Sequence, residues 1–356
     1  MSTTVIGVDP HKRPHTAVVL DAAEQIDSQV QVPADRRQVD RLLAWAKLWP
    51  QRIWAIENVH GMGKLLSQQL LRRGEQVVDV PRTLSHRTRR LSGQSGRKTD
   101  AHDARSVAIA AANPARLRPA VLEDVTDTLG LLVARRWQLV AHRHQIVCRV
   151  HALLADLCPS GVERGITADV AARKLRTIRP ATLTDQERRR SVLELIEQWR
   201  WIDRRIPAVE DRLRDTLAVH GTTLTDIFGI GDIGAATIIA AVGDVHRFPS
   251  RGHFAAYCGT APLDASSGDV HRHRLSRRGN RQLNAVLHIA AVSQIRFDTP
   301  GQAYYRRKLA EHKTPGEARR ARERQLSNVV YRHLLADAHA REVVRGGQVG
   351  TELASA

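Results

Sequence analysis

Residues 4–9, Thr-Val-Ile-Gly-Val-Asp, indicate the type of fold that the first part of the chain adopts. The run is short, apolar and rich in β-branched side chains, which predicts a buried strand with Asp9 at its end. Two more strand patterns follow at 16–20 and 29–32, around turn-like residues at 21–27. We therefore predict that the fold begins with a meander of three antiparallel strands.

Beyond the meander, the pattern alternates between helix and strand. We predict helices after Pro33, at 65–73 and at 100–112, and strands at 53–57 and 76–80. The resulting order β-β-β-α-β-α-β-α places antiparallel strands first and parallel strands after them. The pattern predicts an N-terminal α/β domain over residues 1–115.

The remaining sequence is mainly helical. Apolar residues recur at helical spacing amid dense charge from 121 to 155 and from 185 to 220. This spacing predicts long amphipathic helices that bury an apolar stripe against each other or against another subunit. We assign a helical, coiled-coil-like spacer to 116–220, a mainly helical C-terminal domain to 221–340 and a flexible tail to 341–356.

Two smaller segments bear on the binding of other molecules. The segment 82–98 is dense in Arg and includes Ser-Gly-Gln-Ser-Gly, which predicts a mobile basic loop. Gly229-Ile-Gly231 lies between two helical patterns, an arrangement typical of a helix-hairpin-helix element. Such a hairpin can direct backbone N–H groups at a DNA phosphate, although glycines in a tight turn also serve helix packing alone.

The composition indicates a polyanionic partner. The 356 residues carry 55 Lys and Arg against 37 Asp and Glu, a formal net charge of +18, and 42% of them are hydrophobic, which is enough to bury cores in two domains. A surplus of this size raises the affinity for nucleic acid. Three cysteines without C-x-x-C spacing argue against a disulfide framework or a cysteine zinc site. With no apolar run long enough to span a membrane, we expect a cytoplasmic protein.

Four carboxylates fall at the ends of the predicted elements. Asp9 ends the first strand, Glu57 ends the fourth, and Asp100 and Asp103 stand at the start of a helix. Residues at i and i+3 face the same side of a helix, so a helix packed beside these two strands would bring all four carboxylates together. Each one alone could be a cap or a surface charge. Together they predict a site for two Mg²⁺ ions that organise a phosphodiester displacement.

The segments around these carboxylates resemble a known family. They are Ile6-Gly-Val-Asp9-Pro-His-Lys, Ile56-Glu57-Asn and Arg97-Lys98-Thr99-Asp100-Ala-His-Asp103-Ala. All three resemble the RuvC-like DEDD domain of insertion-sequence transposases of the one-hundred-and-ten type, whose relatives include bridge-RNA-guided recombinases. The resemblance implies an RNase H-like fold for the N-terminal domain, with the four carboxylates as catalytic and metal-binding residues.

The second half of the chain supports the same resemblance. Its motifs are Phe254-Ala-Ala-Tyr257-Cys-Gly259-Thr-Ala-Pro262, Ser266-Ser267-Gly268 and Arg277-Arg-Gly-Asn-Arg281. In order and spacing they resemble the C-terminal transposase domain of that family, so the resemblance covers nearly the whole chain. In the family the serine that precedes glycine is the proposed nucleophile, which implies Ser267. Many relatives have an acidic residue before that serine, whereas this chain has Ser266, which offers a second hydroxyl.

The resemblance implies a function for the whole chain. It implies a DNA recombinase that moves its own insertion element through a phosphoserine intermediate, with a noncoding RNA of the element selecting donor and target DNA. It also implies that the serine and the carboxylates act in one composite site. Because two duplexes must be cut, we expect a homo-oligomer. The predicted nucleic-acid contacts are Lys12, Arg87, Arg89, Arg90, Arg97, Lys98, Arg272, Arg274, Arg277, Arg278 and Arg281.

Other interpretations of the residues belong to different classes of protein. A RuvC-like or RNase H-like nuclease would keep the acidic site and use water in place of the serine. A sugar kinase or actin-like ATPase would also begin with Gly-x-Asp, but the chain lacks a convincing second phosphate loop. A nucleic-acid-binding protein without catalysis would have no need of the four carboxylates. His271 and His273 lack further zinc ligands, and Tyr304 and Tyr305 are more typical of packing or base stacking than of a tyrosine recombinase.

Overall fold

The computed structural model describes residues 3–91, 99–159, 161–264, 273–274 and 279–354. The chain divides into two compact units, Met1–Glu123 and Asp124–Ala356, here called the first and the second unit. Among the described helices, none combines the length and the apolar character needed to cross a membrane.

A six-stranded mixed sheet forms the centre of the first unit. Its strands are β1 (Thr4–Pro10), β2 (Pro14–Leu20), β3 (Ile26–Pro33), β4 (Arg52–Glu57), β5 (Val77–Val80) and β6 (Arg118–Pro119), in the order β3-β2-β1-β4-β5-β6. Antiparallel pairing joins β1, β2 and β3, whereas β1, β4 and β5 pair in parallel. The predicted antiparallel meander followed by parallel strands is confirmed, and the first unit is an α/β domain with a mixed sheet.

Helices cover both faces of this sheet. They are α1 (Gln38–Trp45), α2 (Lys64–Arg72), α3 (Arg82–Leu91) and α4 (Asp100–Ala110). On one face, Ile6 and Trp54 of the sheet are fully buried in a core shared with Leu70 of α2. On the other face, Ala55 is fully buried in a smaller core with Val107 of α4. Burial on both faces explains why β1 and β4 have continuous apolar runs where a half-exposed strand would alternate.

Helix α3 corrects the sequence analysis, which predicts a basic loop over 82–98. The first part of that segment is helical, from Arg82 to Leu91. Pro81 stands directly before the helix, a position at which its missing N–H costs nothing, and Arg favours a helix almost as strongly as Ala does. The dense positive charge was therefore a poor indicator of a loop. Residues 92–98 lie outside the part of the chain that the structure describes.

Two long helices dominate the second unit. They are α5 (Val125–Leu157) and α7 (Leu183–His220), with the shorter α6 (Ala168–Thr177) between them in sequence. Ion pairs of 2.6 Å join Arg136 to Glu210 and Arg143 to Asp203, so residue numbers rise along one helix as they fall along the other and the pair is antiparallel. The apolar stripe of α7, which includes the fully buried Trp199, faces the core of this unit. The two predicted amphipathic helices are confirmed, and their role in dimerisation stays a prediction.

Shorter helices complete the second unit. They are α8 (Asp232–Val242), α9 (Arg251–Tyr257), α10 (Arg281–Arg296), α11 (Pro300–Ala310) and α12 (Pro315–Ala354), with a two-stranded ribbon of β7 (Leu263–Asp264) and β8 (His273–Arg274). One hydrophobic core extends from Leu129 to Ala338, so it includes both the predicted spacer and the predicted C-terminal domain. A three-residue 3₁₀ turn, Leu224–Asp226, stands before Gly229, where the first helix of a hairpin was predicted. Helix α12 extends through the residues for which we predicted a tail.

Candidate active site

Two carboxylates lie side by side at the carboxyl ends of the central parallel strands. The register of β1 and β4 pairs Val8 with Ile56, so the next residues, Asp9 and Glu57, leave the sheet at the same edge. Asp9 is only 5% exposed, and the side chain of Glu57 is 23% exposed. The placement agrees with the prediction from the strand ends.

Helix α4 brings the other two carboxylates to this edge. Thr99 caps the helix by accepting a hydrogen bond from the backbone N–H of His102, which places Asp100 and Asp103 in the first turn. The helix lies very close to β1 because residue 7 is glycine. A Cβ on Gly7 would lie 2.5 Å from the carbonyl oxygen of Ala104, closer than real Cβ atoms come. The small residue on the strand therefore sets the position of the two helical carboxylates.

His11 links the strand carboxylate to the helix carboxylate. Its Nε2 lies 3.0 Å from Oδ2 of Asp9 and 3.7 Å from Oδ1 of Asp100. Ligand atoms of these three residues lie within 4.8 Å of one another, a grouping that could hold a metal ion. The contact of His11 with two of the four carboxylates was not predicted from the sequence.

The electrostatics of Asp9 show that the other carboxylates are close. The pKa of Asp9 is raised to about 6, mainly by burial and further by the negative charges of Glu57 and Asp103, against the opposing effect of His11. Burial disfavours the ionised form of a carboxylate, and neighbouring negative charges add to this effect. Asp9 thus lies near the other three predicted carboxylates, with Asp100 on the far side of His11 and with Glu57 and Asp103 close enough to raise its pKa.

Helix α3 supplies polar partners to two of the carboxylates. Ser85 Oγ donates a hydrogen bond of 2.5 Å to Oε1 of Glu57, and Nη1 of Arg89 lies 2.5 Å from Oδ1 of Asp103. Arg82 approaches Glu57 at 3.9 Å. Sequence reasoning missed these contacts because residue 85 and residue 57 are 28 positions apart and meet only when α3 packs beside the sheet.

The donor set fits a divalent cation. Four carboxylates supply oxygen ligands of the kind that Mg²⁺ prefers, and burial together with the neighbouring carboxylates raises the pKa of Asp9. A bound cation would favour the ionised form of Asp9. The imidazole of His11 is a softer donor than Mg²⁺ prefers, so the carboxylates are the better candidates for ligands.

The predicted nucleic-acid contacts fall into three groups. Lys12, Arg87, Arg90 and Arg281 are exposed, whereas Arg89 is half-buried and pairs with Asp103. For Arg274 the structure describes only the backbone, in β8. The predicted positions outside the described residues are Arg97, Lys98, Ser266, Ser267, Arg272, Arg277 and Arg278.

Described residues on either side of the serine segment lie close together in the second unit. A Cβ on Gly279 would clash with the backbone nitrogen of Gly259, so the two backbones are in close contact. The N–H of Asn280 donates to the carbonyl of Tyr257 at 2.7 Å. Both contacts join residues before the segment to residues after it, and Ser267 itself lies outside the described residues.

The first unit is thus an α/β domain with carboxylates gathered at one edge of its mixed sheet, and sequence comparisons identify the family. Residues 6–159 match a transposase family model of the DEDD type, and residues 221–306 match the model described as Transposase IS116/IS110/IS902 family. The chain belongs to the IS110/IS116/IS902 family of transposases. The resemblance inferred from the motifs is confirmed, and a transposase is an enzyme that cuts and rejoins DNA.

Relatives and solved structures give the extent of the similarity. The insertion element IS116 uncharacterized 44.8 kDa protein of Streptomyces clavuligerus is 27% identical over 360 residues, which cover 86% of this chain and 88% of the relative. The insertion element IS110 uncharacterized 43.6 kDa protein of Streptomyces coelicolor is 30% identical over 279 residues, which cover 64% of this chain and 68% of that relative. Among solved structures, Thermus thermophilus RuvC in complex with a Holliday junction substrate matches with 14% identity and a TM-score of 0.27, over 33% of this chain and 100% of that one.

Proposed function

We propose that this transposase moves its own insertion element by divalent-cation-dependent cleavage and rejoining of DNA strands. The observation that carries the proposal is the convergence of Asp9, Glu57, Asp100 and Asp103 at one edge of the sheet, in a chain that belongs to a transposase family. Carboxylates gathered from two strand ends and a helix, one of them with a raised pKa, have no evident structural role that would offset their mutual repulsion.

The four carboxylates would hold Mg²⁺, two ions per site. When bound, the ions would stabilise the negative charge that develops on phosphate oxygens during strand cleavage. Asp9 anchors the site because it is the most deeply buried of the four in its side chain. His11 holds Asp9 through its hydrogen bond, and Ser85 and Arg89 hold the carboxylates on either side.

Ser267 would supply the nucleophile. Its Oγ would form a bond to the scissile phosphorus as the bond from phosphorus to one strand's oxygen breaks, and that strand would leave with a free hydroxyl. A hydroxyl of the strand to be joined would then attack the same phosphorus and release the serine. The family resemblance supports Ser267 over Ser266, and the cations that follow it in sequence, Arg272, Arg277, Arg278 and Arg281, suit a phosphodiester.

The proposed activity requires DNA, a guide RNA and further copies of the chain as partners. Donor and target DNA would bind to a chain whose formal net charge is +18, and a noncoding guide RNA of the element would select both by base pairing. Reading by base pairing needs contacts to backbone and shape more than to base edges, which suits an Arg-rich surface. We further propose that the protein acts as a dimer or tetramer at the nucleoid, in the cytoplasm, where both duplexes can be cut together.

Trapping of the covalent intermediate tests the proposal. Purified protein, Mg²⁺, end-labelled donor and target DNA, and RNA transcribed from the flanks of the gene are mixed, and an adduct that survives denaturing detergent is sought. We expect the adduct in wild type and in Ser266→Ala, and its loss in Ser267→Ala and Asp9→Ala.

The second candidate function is a metal-dependent nuclease that uses water. It is favoured by one observation, namely that the acidic cluster is assembled within the first unit from its own residues. DNA that is nicked without an adduct, by wild type and by Ser267→Ala but not by Asp9→Ala, would contradict covalent catalysis and establish the nuclease.

A further inference from the structure

One face of helix α3 is built against the acidic site. Arg82, Ser85 and Arg89 stand at i, i+3 and i+7 and therefore share that face. Ser85 and Arg82 contact Glu57 of β4, and Arg89 contacts Asp103 of α4. A single helix face thus holds carboxylates from two different elements.

Ser85 is set apart from its neighbours by burial. It is 5% exposed, whereas His86, Arg87 and Arg90 point into solvent. A helical serine buried in this way commonly bonds to the backbone one turn earlier, and Ser85 Oγ does lie 3.1 Å from the carbonyl of Arg82. The contact with Glu57 is much shorter, at 2.5 Å. A hydroxyl has a single hydrogen to donate, and a carboxylate is the stronger acceptor, so the hydrogen goes to Glu57.

We propose that Ser85 is a positioning residue of the cation site. Its hydroxyl fixes the side chain of Glu57 in one rotamer, so that the carboxylate is held beside Asp9 before a cation binds. A free glutamate side chain would have to lose its rotamer freedom at the moment of binding, which lowers the affinity for the cation. The inference rests on the proposed function, because it assumes that Glu57 is a ligand.

The magnitude of the effect follows from other metal sites. Loss of a hydrogen bond that orients a metal ligand typically lowers metal affinity or activity by about 10–100-fold. Glu57 is partly exposed, so water can replace the lost donor without restoring the fixed rotamer. We expect the affinity of Ser85→Ala for a divalent cation to fall by at least about tenfold.

The test measures cation binding without DNA. Mn²⁺ is titrated into the full-length protein, and free Mn²⁺ is followed by its paramagnetic resonance signal. The matched control is Thr88→Ala, which removes a hydroxyl from the same helix that bonds to the backbone carbonyl of Leu84. We expect Ser85→Ala to bind about tenfold more weakly or worse at an unchanged melting temperature of the cation-free protein, and Thr88→Ala to bind like wild type.

The outcomes separate this inference from the function on which it rests. Wild-type affinity in Ser85→Ala, with binding lost in Asp9→Asn, would overturn the role of Ser85 and leave the cation site standing. Absence of Mn²⁺ binding by the wild type would contradict the cation site and the inference together. Ser85→Cys keeps a weak donor of similar size. If Ser85→Cys bound no better than Ser85→Ala and both melted at lower temperatures, the serine would be structural and the inference would be overturned.

Discussion

Among single residues, Asp9 shows most clearly that ionising a carboxylate of this site costs free energy in the folded chain. Burial, followed by the charges of Glu57 and Asp103, raises its pKa from 3.8 to about 6, against the opposing effect of His11. A raised pKa means that the folded chain binds this proton more tightly than the unfolded chain does. Ionised Asp9 therefore costs stability above about pH 6, and the cost disappears as the pH falls towards 3.8.

The stability cost of ionised Asp9 gives a prediction for Asp9→Asn. In the absence of divalent cations, the variant should melt about 5 °C higher than the wild type at pH 7.5, and the difference should shrink at pH 4.5. Added Mg²⁺ should stabilise the wild type and leave the variant unchanged. Calorimetry at both pH values, with the exposed Asp27→Asn as control, checks this. Equal melting temperatures at pH 7.5 would show that ionised Asp9 does not destabilise the folded chain.

Gly7 gives the second prediction at this scale. In Gly7→Ala the new Cβ would meet backbone and side-chain atoms of α4 within 2.6 Å, so the helix must move away from β1. We expect the free energy of unfolding to fall by about 1–3 kcal/mol and the affinity for Mn²⁺ to fall with it. Gly130→Ala, in an open helical position, should be neutral or stabilising. Denaturant unfolding of both variants checks this, and an unchanged Gly7→Ala would contradict the close packing.

At the scale of elements, β4 is tied to the segment before β5 by a half-buried ion pair. Glu75 accepts two hydrogen bonds from Arg52 and one from the indole of Trp54. Burial alone would raise the pKa of Glu75, but these hydrogen bonds outweigh it and lower the pKa. A lowered pKa stabilises the fold at neutral pH, and the stability is lost as the pH falls below the ordinary value of 4.5.

We predict that Glu75→Gln lowers the free energy of unfolding at pH 7 by about 3 kcal/mol, because the guanidinium of Arg52 stays half-buried without its counter-charge. The effect should be smaller at pH 3, because below the ordinary pKa of 4.5 the unfolded chain binds a proton at Glu75 and the stability that the ionised carboxylate contributes declines. Asp40→Asn, which removes an exposed partner of Arg73, should change stability by about 0.5 kcal/mol or less. Urea titrations at both pH values check this, and equal effects of the two substitutions would contradict it.

In the second unit, α12 is held to the end of α7 by a buried carboxylate. Asp337 is 4% exposed and accepts hydrogen bonds from the hydroxyls of Thr222 and Thr223 and from the N–H of Thr223. We predict that Asp337→Ala lowers the free energy of unfolding by about 3 kcal/mol, since three donors lose their acceptor. Asp215→Ala, on the exposed face of α7, should be neutral. A neutral Asp337→Ala in thermal unfolding would show that this junction does not stabilise the unit.

The elements differ in how well the sequence could predict them. The strands β1, β4 and β5 were predictable because their apolar runs end at turn residues, and the amphipathic helices α5 and α7 because their apolar spacing persists over many turns. Helix α3 was not predictable in the same way. Its many Arg residues suggested a charged loop, although Arg is also a good helix former. The four carboxylates could be picked out from strand ends and motif spacing. Ser85 could not, since its contact depends on how α3 packs against the sheet.

At the scale of the whole molecule, charge and chemistry are distributed over two units. The acidic cluster lies in the first unit, in a chain whose formal net charge is +18. The second unit encloses one hydrophobic core of its own, in which the backbones of Gly259 and Gly279, on either side of the serine segment, are in close contact. The proposal assigns metal-assisted charge stabilisation to the first unit and the nucleophile to the second.

The proposed function requires that the four carboxylates form one cation-dependent site for DNA cleavage. The most direct measurement is the rate of strand cleavage of end-labelled donor DNA in Mg²⁺ by Asp9→Asn, Glu57→Gln, Asp100→Asn, Asp103→Asn and the double variant of Asp9 and Asp103. We predict that each single substitution lowers the rate by about 10²-fold or more, and that the double variant is no slower than the slower single one, because the residues act as a unit. Cleavage by Asp9→Asn at the wild-type rate would contradict the proposed site. So would a double variant whose loss of rate equals the product of the two single losses.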